Sequence, residues 1–126
     1  MKQIEKDCYA LLQAVVLKRD VYCRAPGCTN RSTAAHHIFG RGNHSTAFDP
    51  KYSLGLCLDC HVPWAHLAPG QFAEWCMFWM GVNEYFTARR LSSTVVKHQD
   101  YNEIKECLIR ELVKYNDRQY HKRVYR

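Results

Sequence analysis

The stretch that decides the fold is residues 23–28, CRAPGC, together with its counterpart at residues 57–61, CLDCH. Each contains a pair of cysteines in a tight turn, and such a turn lets both thiolates reach one ion from the same side. Two turns complete the tetrahedron of ligands that structural Zn²⁺ prefers, and soft thiolates favour zinc over Mg²⁺. The alternative is a set of buried free cysteines that act as small apolar side chains. We predict a structural zinc with no open position for substrate, held by Cys23, Cys28, Cys57 and Cys60.

Unusual histidines lie between and beside these cysteine pairs. His36 and His37 are neighbours at the end of a predicted strand, so their side chains point to opposite faces. His61 follows directly after Cys60, so the zinc cluster fixes its position. Phosphodiester hydrolysis needs a base that takes a proton from water and a metal that neutralises the phosphate, and histidine suits both tasks. Isolated histidines are more often surface or core residues. Their position between two zinc half-sites is what indicates a catalytic metal site.

Composition narrows the class of protein. The chain has 126 residues, which predicts one compact domain. It carries 18 Lys and Arg against 12 Asp and Glu, a net charge of +6. A basic surplus favours a polyanionic partner, usually nucleic acid, and the alternative is a generic solubilising charge. The first residues form no apolar signal segment and no stretch is apolar enough for a membrane span, so we expect a cytoplasmic protein that contacts no membrane. Clustered cysteines in that compartment bind metal more often than they form disulfides.

The pattern of residues in the central part of the chain predicts short strands and loops. Residues 33–39 predict a first strand, residues 40–43 a turn, and residues 54–56 a second strand. A helix is expected from about residue 58 through His61, and Pro63 shortens or bends it because proline fits only the first helical turn.

The flanking parts read as helices. Apolar spacing predicts one over about residues 3–18, a buried one over 71–80, and a short one over 83–91. Pro69 and Gly70 predict a break before the helix at residues 71–80, and Gly81 predicts the end of that helix. Residues 100–103, DYNE, have the form of a capping box that opens a last helix. The remaining cysteines, each alone on an apolar helix face, are expected in the core: Cys8, Cys76 and Cys107.

The segments AHHI at residues 35–38, DP at 49–50 and LCLDCH at 56–61 together resemble the HNH endonuclease motif. Residues 36–43 and 48–49 look most similar to phage recombination nucleases of the NinG type. The resemblance covers residues 23–66 and implies an α+β fold with a ββα-metal (HNH) core and a four-cysteine zinc knuckle, surrounded by additional helices. The implied organisation is a single HNH nuclease domain over residues 1–126, with a motif core at about 21–68 and helical extensions at 3–18 and 71–126.

Carried over residue by residue, the resemblance makes His37 the general base. His36 becomes the first ligand of the catalytic metal and His61 the second. The family's middle Asn falls five residues before Cys57, where this sequence has Tyr52. Either the Tyr52 hydroxyl or Asn43 would replace that Asn in the catalytic site, and the sequence does not choose between them.

For several further residues the sequence allows two interpretations. His66 is either a third metal ligand or a surface histidine that contacts phosphate. Arg41 either grips a phosphate through its guanidinium or is a surface arginine on a glycine turn. Lys122 and Arg123 lie in a basic C-terminal stretch that either contacts nucleic acid or is a solvated helix end.

Together these features predict a metal-dependent DNA endonuclease that hydrolyses phosphodiester bonds by nicking, double-strand cutting or junction cleavage. Its expected cofactors are a structural Zn²⁺ and one catalytic Mg²⁺ or Mn²⁺. A non-catalytic zinc module that binds nucleic acid is the main alternative, and a structural zinc protein with a protein partner is the third. A monomer and a homodimer both remain open.

Overall fold

The computed structural model of the chain describes residues 1–40, 42, 44–96 and 98–125, with side chains described as far as residue 116. It has a mixed α+β fold, in which short paired strands lie between layers of helices. Among the described residues, no helix combines the length and the apolar character needed to cross a membrane. Arg41 and Asn43, and the side chains of Lys122 and Arg123, lie outside the described residues.

A pair of long helices forms the first layer. Helix α1 spans Gln3–Arg19, close to the predicted range, because Leu12, Val15 and Val16 recur on one face and are fully buried. Burial of each such side chain contributes about 1.5–3 kcal/mol to the free energy of folding. Helix α6 spans Tyr101–Tyr125 and packs on α1. The predicted cap is present, since Asp100 Oδ1 accepts a hydrogen bond from the Glu103 amide at 3.1 Å.

The strands form a short antiparallel hairpin-like ladder. Strand β1 spans Ala34–His37 and strand β2 spans Ser53–Leu56, with His36 opposite Leu54. Strand β1 is shorter than predicted because the chain turns after it, where the Gly40 amide approaches the His37 carbonyl at 3.4 Å. A short helix α2, His44–Ala47, and a 3-10 turn over Pro50–Tyr52 connect the strands.

The two faces of this ladder contact different layers. Leu54 and Leu56 pack into a core with Phe72 and Cys76, whereas Ala35 packs towards the core that contains α1 and α6. Because successive residues of a strand alternate between faces, His36 points to the first core and His37 to the second. The ladder therefore separates the two histidines into different surroundings.

A helical layer covers the Leu54 face. Helix α3, Leu58–Cys60, continues as a π-helix over His61–His66, and α4, Pro69–Met80, and α5, Val82–Ser92, follow. The prediction of a break at residues 69–70 was wrong. Pro69 occupies the start of α4, where a helical residue has no intrahelical partner for its amide and the fixed φ of proline fits.

Some predicted core positions are exposed. Cys8 and Cys76 are fully buried as expected, but Cys107 is exposed because it lies on the outer face of α6, with the Arg110 guanidinium 3.3 Å from its sulfur. Helix α4 was predicted to be buried as a whole, yet Phe78 is 88% exposed. The apolar residues of α4 go all round the helix, while the core contacts only the face that carries Phe72 and Cys76.

A buried carboxylate that the sequence did not reveal ties these parts together. Asp20 ends α1, its side chain is fully buried, and it accepts hydrogen bonds from Arg19, from Arg24 at 2.8 Å and from the Gly55 amide at 2.9 Å. Burial raises the pKa of Asp20, but these hydrogen bonds and the arginine charges outweigh burial and hold the pKa below its ordinary value. The end of α1 is thereby fixed to β2 and to the first cysteine turn.

We predict that Gly55→Ala destabilises the protein by about 2–3 kcal/mol, because the new methyl group has no room. A Cβ at residue 55 would lie 2.7 Å from Cβ of Asp20 and 3.1 Å from Cβ of Ser32. These neighbours are attached directly to backbone and cannot swing away. Urea denaturation measures the change in unfolding free energy.

The matched control is Gly70→Ala in helix α4, where an added Cβ meets nothing within 4 Å. Alanine there is expected to be neutral or to stabilise by up to about 1 kcal/mol, because it restricts the unfolded chain. Equal stabilities for the two variants would show that the contact between Gly55 and Asp20 is unimportant.

Candidate functional site

The four predicted cysteines come together in one cluster. Their sulfur atoms all lie within 4.8 Å of one another, and Cys28 Sγ lies 3.7 Å from Cys57 Sγ. Sulfurs about 2.3 Å from a tetrahedral zinc are about 3.8 Å apart, so this separation fits one edge of a zinc tetrahedron. The cluster can hold a structural metal such as zinc.

Local backbone geometry brings the first pair together. The Cys28 amide donates to the Ala25 carbonyl at 3.1 Å, with Pro26 and Gly27 between them. Gly27 has φ +74°, the left-handed value required at the third position of a type II turn, and proline suits the second position. The second pair lies where β2 passes into α3, and the amides of Cys60 and His61 both donate to the Cys57 carbonyl.

The thiols of the cluster differ in their acidity. Burial raises the pKa of Cys57, but hydrogen bonds from the Asn30 side chain and from Cys60 and Cys28 outweigh it and lower the pKa to about 7. Burial raises the pKa values of Cys23 and Cys60. One thiolate is therefore favoured near neutral pH, and a bound metal would have to displace protons from the other thiols.

A second cluster is formed by His36, His61 and His66. Nδ1 of His36 lies 3.1 Å from Nε2 of His61, which in turn lies 3.0 Å from Nε2 of His66. Ligand nitrogens about 2.1 Å from one ion are about 3.0 Å apart at a right angle and about 3.4 Å apart at the tetrahedral angle. The three nitrogens therefore have the spacing of ligands to a single divalent ion.

The π-helix explains why His66 joins His61. They are five positions apart in the chain, a spacing that matches an α-helix poorly but is close to one turn of a π-helix, whose hydrogen bonds join residues five positions apart. The Leu67 amide donates to the Val62 carbonyl at 3.0 Å, a bond of this five-residue type. Pro63 has no amide hydrogen to donate, which removes one of the bonds that an α-helix would require here. His66 is thus placed beside the other histidines rather than on a separate surface.

The surroundings of His36 and His61 favour the neutral imidazole, which is the form that binds a metal. Burial lowers the pKa of His36 to about 4, and repulsion from His61 and His66 adds to this effect. Burial also lowers the pKa of His61, with His66 as the second cause. The Phe72 ring lies edge-on to His36, with centroids 4.8 Å apart, and forms the apolar wall of the cluster.

His37 is held by different neighbours on the α1 side of the ladder. Its Nε2 lies 3.0 Å from the carbonyl oxygen of Ala47. A carbonyl can only accept, so Nε2 carries the proton and Nδ1 is the basic nitrogen of the neutral ring. The Tyr9 ring packs edge-on to His37 at a centroid distance of 6.0 Å and against Phe48 at 4.6 Å.

One cavity of about 440 Å³ joins the three-histidine cluster and His37. Its other walls come from α1, where Tyr9 and Gln13 face it, and from Ala35 and Gly40. Of the residues predicted to form the site, the structure brings together His36, His37, His61 and His66 here. Tyr52 is not among the described residues that line this cavity. It is buried, its ring lies 5.9 Å from that of Phe39, and Lys51 Nζ lies 5.0 Å from the ring centroid.

Sequence reasoning missed the groups that orient the site. The Ala47 carbonyl is a backbone atom, so no residue type could have revealed it. Tyr9 and Gln13 lie on a helix that the sequence indicated only as part of the core. Asn30, whose amide lies 3.7 Å from Cys57 Sγ, has a side chain that ordinary turns also carry.

Comparison with known proteins finds no family model, curated protein or solved structure that matches this chain. The chemistry of the two side-chain clusters is therefore the evidence about function.

We predict that Cys57→Ser removes the bound zinc and lowers the melting temperature by roughly 10 °C or more, because metal-binding energy in such a cluster is folding energy. Zinc content after purification and the circular dichroism melt are the measurements. Cys107→Ser, which changes an exposed cysteine outside the cluster, is the control and should leave both unchanged. An unaltered melt for Cys57→Ser would contradict a stabilising metal at this cluster.

We also predict that His66→Ala weakens the binding of Mn²⁺ about ten-fold or more, because one of three imidazole ligands is lost. Calorimetric titration of zinc-loaded protein with Mn²⁺ measures this, since soft thiolates bind Mn²⁺ poorly and leave the cysteine cluster undisturbed. His98→Ala changes an exposed histidine outside the cluster and should bind Mn²⁺ as the unaltered chain does. Equal affinities for the two variants would show that His66 is not a ligand.

Proposed function

We propose that this protein is a metal-dependent DNA endonuclease of the HNH (ββα-metal) type, resembling the NinG-type nucleases, which hydrolyses phosphodiester bonds. The observation that carries the proposal is the convergence of His36, His61 and His66 in one cavity with His37, where Nε2 of His61 lies 3.1 Å from Nδ1 of His36 and 3.0 Å from Nε2 of His66. Such a sparse set leaves positions on a metal for water and phosphate, as a hydrolytic site requires. The cysteine cluster, with proposed Zn²⁺, braces the segment from which His61 projects.

The order of the elements supports this family. His36 comes from the first strand of the ladder, and His61 begins the helical turn that directly follows the second strand and α3. Strand, strand and helix with ligands at these places is the arrangement that the motif resemblance implies. The α+β fold around it is compatible with this core.

The donor set fits a borderline divalent cation. Imidazole nitrogens suit Mn²⁺ better than Mg²⁺, which prefers oxygen ligands, so Mn²⁺ is the proposed catalytic ion and Mg²⁺ the weaker alternative. A divalent ion supplies neutralisation of the scissile phosphate and of the leaving oxygen when it is bound. Burial keeps His36 neutral at pH 7, so its nitrogen is ready to bind.

His37 takes the role of general base in this proposal. Its protonated Nε2 is held by the Ala47 carbonyl, so Nδ1 accepts the proton of the attacking water. The Tyr9 ring packs edge-on to His37, and Phe48 packs against Tyr9. These contacts limit the movement of the His37 ring. Strand alternation keeps this base apart from the metal-binding His36 although the two are neighbours in the chain.

DNA is the proposed substrate because the chain has a net charge of +6 and a polyanion compensates it. Phosphate contacts by Arg41, Lys122 and Arg123, and a catalytic part for Asn43, remain predictions because these side chains lie outside the described residues.

One observation favours a second function, a non-catalytic zinc module that binds nucleic acid. Tyr52 replaces the family's Asn and packs against Phe39, outside the described lining of the cavity. If neither Tyr52 nor Asn43 performs the role of that Asn, the chain would bind DNA without cutting it.

A plasmid-cleavage assay with Mn²⁺ and with Mg²⁺ separates these functions. We expect the unaltered protein to convert supercoiled DNA to open-circular or linear form, faster with Mn²⁺. His37→Ala should lower the rate about 10²–10⁴-fold, the usual contribution of a general base. DNA affinity, zinc content and melting temperature should stay unchanged in this variant, and His98→Ala should cut normally.

Two results would contradict the proposal. Full activity of His37→Ala would exclude His37 as the base. Binding without cleavage of plasmid, single-stranded and branched DNA by the unaltered protein would leave the zinc-binding module as the function.

A further inference from the structure

Helix α4 exposes large apolar side chains next to the helices that hold the cavity. Phe78 is 88% exposed, Trp79 is 36% exposed and Val82, at the start of α5, is 58% exposed. We name these three residues the α4 face. Soluble monomers rarely leave a phenylalanine and a tryptophan side by side in water without a use for them.

The α4 face is held in a fixed position from beneath. The Trp79 ring stacks on Trp75 with a centroid distance of 5.8 Å and an angle of 5° between planes. Trp75 packs on Trp64 at 5.4 Å, and Trp64 packs on Phe72 at 5.1 Å. Because the Trp79 ring already has a partner on its inner side, docking on its outer side costs little conformational entropy.

The charges of the chain around the α4 face disfavour a nucleic acid as its occupant. No Lys or Arg occurs between Lys51 and Arg89, so all 18 basic residues lie elsewhere in the chain. Asp59, Glu74 and Glu84 give this segment a negative charge. A phosphate backbone would be repelled, because binding to nucleic acid depends on cations at the contact.

The same charge distribution favours a second copy of this chain. Two molecules with a net charge of +6 repel each other, and the repulsion is reduced when they meet through a segment that contains acidic residues and no Lys or Arg. The three side chains of the α4 face are themselves uncharged and apolar, and in a twofold dimer each copy presents the same three side chains to the other.

The area of the α4 face is sufficient for a modest dimer. Its side chains leave roughly 400 Å² of apolar surface exposed per copy, judged from the size of such side chains. Two copies with a polar rim would bury about 1,200 Å², the lower end of specific interfaces. The expected affinity is therefore micromolar rather than nanomolar.

We propose that the protein forms a twofold-symmetric homodimer through the α4 face, with Phe78 and Trp79 of each copy packed on the same residues of the other. This inference does not rest on nuclease activity. It depends on exposure, ring packing and charge alone.

Sedimentation velocity over about 1–100 µM protein, the range in which a micromolar equilibrium shifts, tests the proposal. We expect a monomer–dimer equilibrium for the unaltered chain, and Phe78→Glu should raise its dissociation constant at least about ten-fold, because two carboxylates would be buried opposite each other. The control is Val95→Glu, which introduces the same glutamate at an apolar side chain that is 83% exposed and lies outside the α4 face. It should dimerise as the unaltered chain does.

Zinc content and circular dichroism establish that Phe78→Glu is folded, and Phe78→Ser replaces it if it is not. A monomer at all concentrations would overturn the proposal, and so would an unchanged dimer in the folded Phe78 variant. A monomer that binds neutral phosphatidylcholine vesicles through Phe78 would overturn it as well, because the occupant would then be a lipid surface. Dimerisation without DNA cleavage would leave this inference standing while the proposed function failed.

Discussion

The clustering of four cysteine sulfurs is the constraint on which the rest of the molecule depends. It connects the turn at residues 23–28 to the point where β2 passes into α3. That point determines where the π-helix starts, and therefore where His61 and His66 lie. A small domain has little apolar core to fix such loops, so a metal at this place can supply stability that the core lacks. Asp20 reinforces the same junction from the α1 side through its bond to the Gly55 amide.

Two backbone geometries then place four imidazoles in different surroundings. Successive side chains of β1 point to opposite faces of the ladder. His36 therefore points to the core that contains Phe72 and His37 points to α1, although the two are adjacent in the chain. The π-helix closes a five-residue spacing that an α-helix would have left open. The result is a cavity in which a partly buried cluster of three histidines lies next to a histidine that is oriented by a backbone carbonyl.

A series of packed aromatic rings connects this cavity to the surface of the molecule. Phe72 contacts His36 on one side and Trp64 on the other, and Trp75 and Trp79 continue the series of rings to the α4 face. A helix that is apolar all round but meets the core on only one face leaves its other apolar side chains exposed. The exposed part lies within residues 52–88, the segment of the chain that contains no Lys or Arg.

The sequence by itself determined the features that depend on local pattern: the cysteine pairs, the alternation at His36 and His37, the helical stripe of α1 and the cap at Asp100. These follow from residue type and spacing over a few positions. Only the tertiary structure decided that Tyr52 packs away from the cavity and that His66 lies inside it. It also decided that Asp20 is buried, that Ala47 orients His37, and that α4 buries only one face. Each of these depends on which distant segments meet. The spacing of residues along the chain determines which face of a helix or strand a side chain lies on. The contacts of that side chain depend on which distant segments pack against that face.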